Sequence, residues 1–301
     1  MTVLTPHPGL PEFDYIKPAT LAEASQFLAQ HAGEARAFVG GTDTFVRMRD
    51  GFWKDKYLVD VKHLDGMNTI AFDPLGGLTI GAAVNLNRVI VSPDVQNRYP
   101  VLAEACHTVA SYPLRTRATI VGNICNASPA GDTIGACLVL EGSLRVHGVN
   151  GLRVEPLSTF FLGPGKTKLQ RGDIVTAVHF PIPPKGYTAR YLKLGRNTIG
   201  DLAIVGVTAL GYRDDDTPSG YRFRLALASV APIPLAPTRA EMILSDKPIT
   251  EGTIAEAAEA AMEACTPIDD VRGSARYRKL MVRNLMRKVV TEVWKVISRQ
   301  S

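Results

Sequence analysis

The chain has 301 residues, 46% of them hydrophobic, enough to bury a sizeable core and long enough for two domains. Its 34 basic and 29 acidic residues leave a formal charge of +5. That excess is too small and too dispersed for nucleic acid to be the main partner, whereas an anionic cofactor fits it. No stretch approaches the roughly 18 uninterrupted apolar residues of a membrane helix. Met1 to Tyr15 carry prolines in place of a basic start and an apolar run, so a cytoplasmic protein with no membrane span is expected. Cys106, Cys125, Cys137 and Cys265 show no CxxC spacing, which predicts buried free thiols and neither a disulfide framework nor a metal centre.

In chain order, Thr20 with Glu23 forms a capping box, and Leu21, Ala24 and Leu28 recur at helical spacing until Gly33. Apolar segments at Asp14–Ile16, Ala37–Val39 and Tyr57–Val61 flank this helix, giving a small α/β unit over about residues 1–65 whose central strand ends at Gly40-Gly41. From Ile70 the texture becomes strand-like, with a hairpin turn at Asp73-Pro74-Leu75-Gly76-Gly77 before Leu78-Thr79-Ile80. One helix over Val101–Ala110 interrupts this larger mixed subdomain, and further strands are expected to Phe180. Pro181-Ile182-Pro183-Pro184-Lys185-Gly186 cannot continue a central strand and reads as a linker, and a boundary near residue 184 divides the chain into 1–184 and 185–301. Beyond it come strands at Tyr191–Leu194, Ala203–Leu210 and Phe223–Ser229. An Ala-rich helix capped by Thr253 with Glu256 is next, then a long helix from Ser274 to Ile297 with Leu285, Val289, Val293 and Val296 on one face. Its many Arg and Lys residues are read as a solvated face.

Two runs could carry chemistry. Phe38-Val39-Gly40-Gly41-Thr42-Asp43-Thr44 leads from a strand into adjacent glycines, and paired glycines let backbone N–H groups converge on an anion such as a diphosphate. A structural turn explains the same dipeptide. The second run, Arg117 to Thr133, is rich in small and amide residues that could wrap an extended ligand. Equally, Asp132 could cap a following helix and Asn123 could sit in a turn.

Together the two runs resemble the FAD-binding subunit of the xanthine dehydrogenase and carbon monoxide dehydrogenase family. That family's Gly-Gly-Thr-Asp loop is matched by Gly40 to Asp43. Its Thr-x-Gly-Gly-Asn-x-x-x-Ala-Ser-Pro-x-x-Asp segment is matched from Thr119 to Asp132, with Val121 where the first glycine is common. Later landmarks agree in order: Gly163 to Thr167, Asp173 to Thr176, Tyr191 to Arg196 with Asp201 to Val205, and Arg272 to Arg278. The resemblance spans about Phe13 to Val290. It implies an α+β fold, a two-subdomain FAD-binding domain of the PCMH type followed by a C-terminal sheet-plus-helices domain.

The same resemblance implies a non-covalent FAD. Its diphosphate would lie on the loop Val39, Gly40, Gly41, Thr42, Asp43, Thr44 and on Thr119, Val121, Gly122 and Asn123, with Cys125 also among the cofactor-binding residues. Asp132 and Lys193 would reach other parts of the nucleotide, and Ile174 would border it as an apolar wall. No catalytic acid, base or metal ligand is expected in this chain. The implied partners are a large subunit with the molybdenum cofactor and a small subunit with two [2Fe-2S] clusters, in a dimer of heterotrimers that serves an external electron acceptor. The alternative is a free-standing flavin-dependent oxidoreductase. A P-loop at Gly165-Lys166-Thr167 is set aside because Phe160 occupies the first glycine position, and the six histidines form no zinc pattern.

Overall fold

A computed structural model describes residues 9–197 and 200–299; Met1 to Pro8, His7 among them, lie outside the described residues. Three parallel strands open the chain: β1 (Asp14–Ile16), β2 (Ala35–Phe38) and β3 (Tyr57–Asp60). Parallel neighbours need crossovers, which are α1 (Leu21–Gln30) and α2 (Thr44–Arg49). The Thr20 hydroxyl starts α1 by accepting the Glu23 N–H at 3.1 Å, while the Glu23 carboxylate accepts the Ala19 N–H at 2.7 Å. The strand order is β1-β3-β2, so β3 is central and the strand leading to Gly40 lies at an edge, contrary to the expectation. Burial explains the order: β3 buries Leu58, Val59 and Asp60 in succession, as a strand covered on both faces must, whereas β2 buries only Phe38.

The hairpin expected at Asp73–Gly77 joins β4 (Ile70–Asp73) to β5 (Gly77–Gly81). The stretch after β5 departs from the expectation of one helix and then strands. Six helices fill Leu86 to Val139: α3 (Leu86–Val91), α4 (Pro93–Arg98), α5 (Pro100–His107), α6 (Tyr112–Arg115), α7 (Ile120–Asn126) and α8 (Asp132–Val139). Each has eight residues or fewer, too short for a helical period to show in sequence. Local caps start them: Asn85 accepts the Arg88 N–H at 3.0 Å, Thr119 accepts the Gly122 N–H at 2.8 Å, and Pro93, Pro100 and Pro113 occupy first-turn positions. Asn123 is therefore helical, and Asp132 stands just inside α8 after Gly131.

Strands β6 (Ser143–Gly148), β7 (Gly151–Pro156) and β10 (Ile174–Phe180) complete an antiparallel sheet of order β4-β5-β10-β6-β7. Between them β8 (Phe161–Gly163) and β9 (Lys166–Thr167) form a small hairpin, so Gly165 ends its turn and Lys166-Thr167 is its second strand, with no helix behind it.

The C-terminal sheet is β11 (Thr188–Leu194), β12 (Val205–Arg213) and β13 (Tyr221–Ala228), backed by α9 (Thr238–Asp246), α10 (Glu251–Glu263) and α11 (Ala275–Ile297). Thr250, not Thr253, caps α10: its hydroxyl accepts the Thr253 N–H at 3.1 Å, and Thr253 turns its own hydroxyl to Pro248 O. On α11 the buried stripe runs through Val282, Met286, Val289, Val290, Val293 and Ile297. Val296 is exposed instead, because Val293 and Ile297, four residues apart, already hold the inward face. One core lies among α8, the five-stranded sheet and the small unit, and reaches Tyr191, Leu210 and Ala226; a second lies under α9 to α11. Cys106, Cys137 and Cys265 are buried, Cys125 is half-buried, and all four are free thiols. No described helix is long and apolar enough to cross a membrane.

Candidate cofactor site

Parallel pairing puts the carboxyl ends of β2 and β3 at one edge of the small sheet. There β2 runs into Val39 and Gly40, and the chain beyond β3 reaches Lys62. Opposite stand Asn68, Ala83, Asn85 and Arg88, with Thr116, Arg117 and Thr119 from the junction of α6 and α7. These residues line a cleft of about 540 Å³, its mouth included, between the small unit and the larger subdomain.

The two walls touch at Gly40, where a Cβ would overlap the Arg117 carbonyl oxygen and lie 3.0 Å from its carbonyl carbon. Gly41 is next, with φ +76°, and a Cβ there would meet the Phe38 ring at 2.7 Å. Both positions thus admit only hydrogen, for different reasons: close approach at the first, a left-handed backbone at the second. Among the described residues, no group accepts the backbone N–H of Gly40, Gly41, Thr42 or Asp43. Facing them, Ile120 and Val121 begin α7, and first-turn N–H groups have no acceptor within their own helix.

The charge is of matching sign. Lys62 is held by Asp60 at 2.7 Å and by the Tyr15 hydroxyl at 3.0 Å, and it lies over the Phe38 ring. Arg88 is fixed by the Asn68 carbonyl at 3.1 Å, and Arg117 is exposed at the mouth. Unpaired N–H donors beside three cations, of which Lys62 is already paired with Asp60, give the cleft a lining that suits an anion.

The expected residues fall into several places. Val39, Gly40 and Thr119 line the cleft, with Gly41, Thr42, Asp43 and Thr44 continuing the first wall into α2. Val121 buries its side chain in the large core, leaving its backbone toward the start of α7. Gly122 donates to Thr119, and the Asn123 amide oxygen accepts the Thr133 hydroxyl at 2.7 Å, tying α7 to α8. Burial pushes the half-buried Cys125 thiol up to about 12.

Asp132 and Lys193 meet each other, away from the cleft. Asp132 accepts the Lys193 ammonium at 2.8 Å and the Tyr191 hydroxyl at 2.7 Å, and Lys193 also donates to Thr108 O at 3.1 Å. Burial holds the Asp132 carboxyl above its usual range, opposed by Lys193 and Tyr191, and pushes the Tyr191 phenol well up. Ile174 is buried in the large core, so its side chain is not among those lining the cleft.

Arg117, which opens the second run, lines the cleft, while Lys62, Asn68, Asn85, Arg88 and Thr116 stand in neither run. Lys62 had a signal, since it follows the apolar run of β3 as Gly40 follows β2, and ligands favour the carboxyl ends of parallel strands. The others come together only by folding.

A family model described as the FAD binding domain in molybdopterin dehydrogenase matches residues 11–183, and one described as the CO dehydrogenase flavoprotein C-terminal domain matches residues 190–293. The chain is 31% identical to the carbon monoxide dehydrogenase medium chain of Hydrogenophaga pseudoflava, over 94% of this chain and 98% of the relative. It is 29% identical to the xanthine dehydrogenase FAD-binding subunit of Escherichia coli O157:H7, over 92% and 94%. The fold is similar to the solved carbon monoxide dehydrogenase of Hydrogenophaga pseudoflava, with a TM-score of 0.90 over 95% of this chain and 98% of that one at 31% identity. It is also similar to quinoline 2-oxidoreductase from Pseudomonas putida 86, with a TM-score of 0.87 at 26% identity over 96% and 99%. With both models matched in order and a relative 31% identical over nearly its whole length, this chain belongs to the family of FAD-binding subunits of the molybdenum-containing dehydrogenases.

Proposed function

We propose that the cleft between the small unit and α7 holds the diphosphate of FAD, and that the chain relays electrons within a molybdenum hydroxylase complex. The observation that carries this reading is the contact of Gly40 with Arg117, which brings unpaired N–H groups and three cations onto one cleft. In this reading the loop Val39 to Thr44 and the start of α7 from Thr119 to Asn123 bind the phosphates. Lys62 and Arg117 balance their charge. Asp132 and Lys193 contact another part of the nucleotide as a neutralised pair. Bound FAD supplies the redox chemistry, taking up electrons singly or in pairs, while this chain supplies position and electrostatics.

The chain receives electrons from [2Fe-2S] clusters of a small subunit, fed by a molybdenum cofactor on a large subunit, and delivers them to an external acceptor in the cytoplasm. A dimer of heterotrimers is the assembly proposed. The relatives' names, medium chain and FAD-binding subunit, support a multi-subunit setting. A division of this chain near residue 184 fits the Pro-rich stretch between β10 and β11, which lie in different sheets. Reconstitution tests the whole reading. The isolated chain with FAD is expected to be reduced by a chemical reductant but not by an organic substrate, until the iron–sulfur and molybdenum subunits are added. Turnover of an organic substrate by the single chain would replace this reading with a free-standing flavoenzyme.

A further inference from the structure

The segment Arg272 to Arg278 lies outside the cleft, yet it ends at a charged side chain that is almost wholly buried. Arg278 is 3% exposed. Its Nη1 donates to Ile204 O at 2.8 Å and to Ser229 O at 3.0 Å, and its Nη2 donates to the Asp270 carboxylate at 2.7 Å. Ser229 has φ +66°, the left-handed region that a residue with a Cβ avoids. Such a conformation persists only where its surroundings over-determine it. Here every polar group of Ser229 is engaged: the carbonyl by Arg278, the hydroxyl by Ala203 O at 2.8 Å, and the N–H by Pro129 O at 2.7 Å.

That last bond crosses from the C-terminal sheet to the turn between α7 and α8. The turn begins at Ala127, which is itself left-handed at φ +47°, and the Ala127 carbonyl accepts the N–H of Gly165 from the β8–β9 hairpin at 3.0 Å. So two elements remote in sequence pin the carbonyls of Ala127 and Pro129. The pinned turn sets where α7 lies, and α7 begins in the cleft wall at Thr119. On its other side the same node holds the carbonyls of Ala203 and Ile204. Ile204 also donates its N–H to Leu194 O at 2.7 Å and so closes the base of the segment between β11 and β12.

We infer that Ser229 and Arg278 are positioning residues for the cofactor. They lock the α7–α8 turn to the base of the β11–β12 segment, and the affinity of the cleft depends on them although neither lines it. This inference rests on the proposed FAD site. A rigid helix pinned at one end transmits a shift at its carboxyl end to its amino end, and coupling through such contiguous elements is typically modest.

The test uses the full chain and three variants, with FAD binding read by flavin fluorescence and absorption, and thermal midpoints read without flavin. Arg278→Lys keeps the charge but offers one nitrogen in place of the two, Nη1 and Nη2, that together span the three acceptors. Val282→Ala, one turn along α11 and buried in the second core without a polar group in the node, provides a variant destabilised by packing alone. Relative to Val282→Ala, Arg278→Lys is expected to bind FAD about tenfold more weakly, with an altered visible absorption band, in proportion greater than its thermal shift. Ser229→Gly relieves the backbone and deletes only the hydroxyl bond to Ala203; it is expected to keep or raise the thermal midpoint while weakening FAD about threefold. Should Arg278→Lys fail to fold, Ser229→Gly decides alone. A parent chain that binds no FAD overturns the proposed function and the node with it. A parent that binds FAD, with variants whose affinities merely follow their thermal midpoints, overturns the node and leaves the FAD site standing.

Discussion

Gly40→Ala is the smallest substitution that tests whether the two cleft walls must touch. Gly40 has no left-handed φ, so alanine suits its backbone and only the new methyl group matters. That carbon would lie 3.0 Å from the Arg117 carbonyl carbon and overlap its oxygen. Non-bonded carbons rest about 3.5–4.0 Å apart, so the walls must part by about 0.5–1 Å. An N–H set about 2.9 Å from a phosphate oxygen would then sit at about 3.4–3.9 Å, beyond a useful hydrogen bond. A bond to a charged acceptor is worth about 1.5–3 kcal/mol, so losing one raises the dissociation constant about ten- to a hundredfold. Titration of the apo chain with FAD, followed by flavin fluorescence, reads this directly, and circular dichroism verifies the fold. A folded Gly40→Ala chain that binds FAD within about twofold of the parent would refute the reasoning.

Gly41→Val adds a β-branched side chain at φ +76° against the Phe38 and Phe45 rings, and is expected to abolish flavin retention; full FAD occupancy in a folded variant contradicts the loop assignment. Arg117→Ala is expected to weaken FAD and to flatten the dependence of its affinity on salt, measured by titration across ionic strengths; an unchanged salt dependence removes Arg117 from the phosphate-binding residues. Lys193→Ala leaves the buried Asp132 carboxylate without its cation, a loss of about 3–5 kcal/mol at neutral pH. Because burial raises the Asp132 carboxyl in the folded chain, the folded state binds that proton more tightly than the unfolded state does. The deficit is therefore smallest below the ordinary carboxylate range and grows as pH rises through the raised value. Thermal midpoints of parent and variant across pH check this, and an equal deficit at acid and neutral pH contradicts it.

The sequence by itself determined what depends on near neighbours. The Thr20 capping box, the Asp73–Gly77 hairpin and the Ser274 start of α11 are contacts over a few residues, and each stands where local chemistry put it. The two glycine-containing runs were legible because few side chains tolerate a left-handed or closely approached backbone, and their order along the chain carried the family. The short helices from Leu86 to Val139 were not legible, since one or two turns give no period and packing selects them. Nor could spacing reveal that β3 is central, for strand order is set by which strand is buried on both faces. The cleft shows the same division most sharply. Gly40, and Arg117 with Thr119, were found from their own neighbours, but these two runs meet each other and Lys62, Asn68 and Arg88 only by folding, across the seam between two subdomains. The pairing of Asp132 with Lys193 likewise spans 61 residues. Only the tertiary structure decided these, because the attraction of a charge for its partner acts through space, and no interval in the sequence records it.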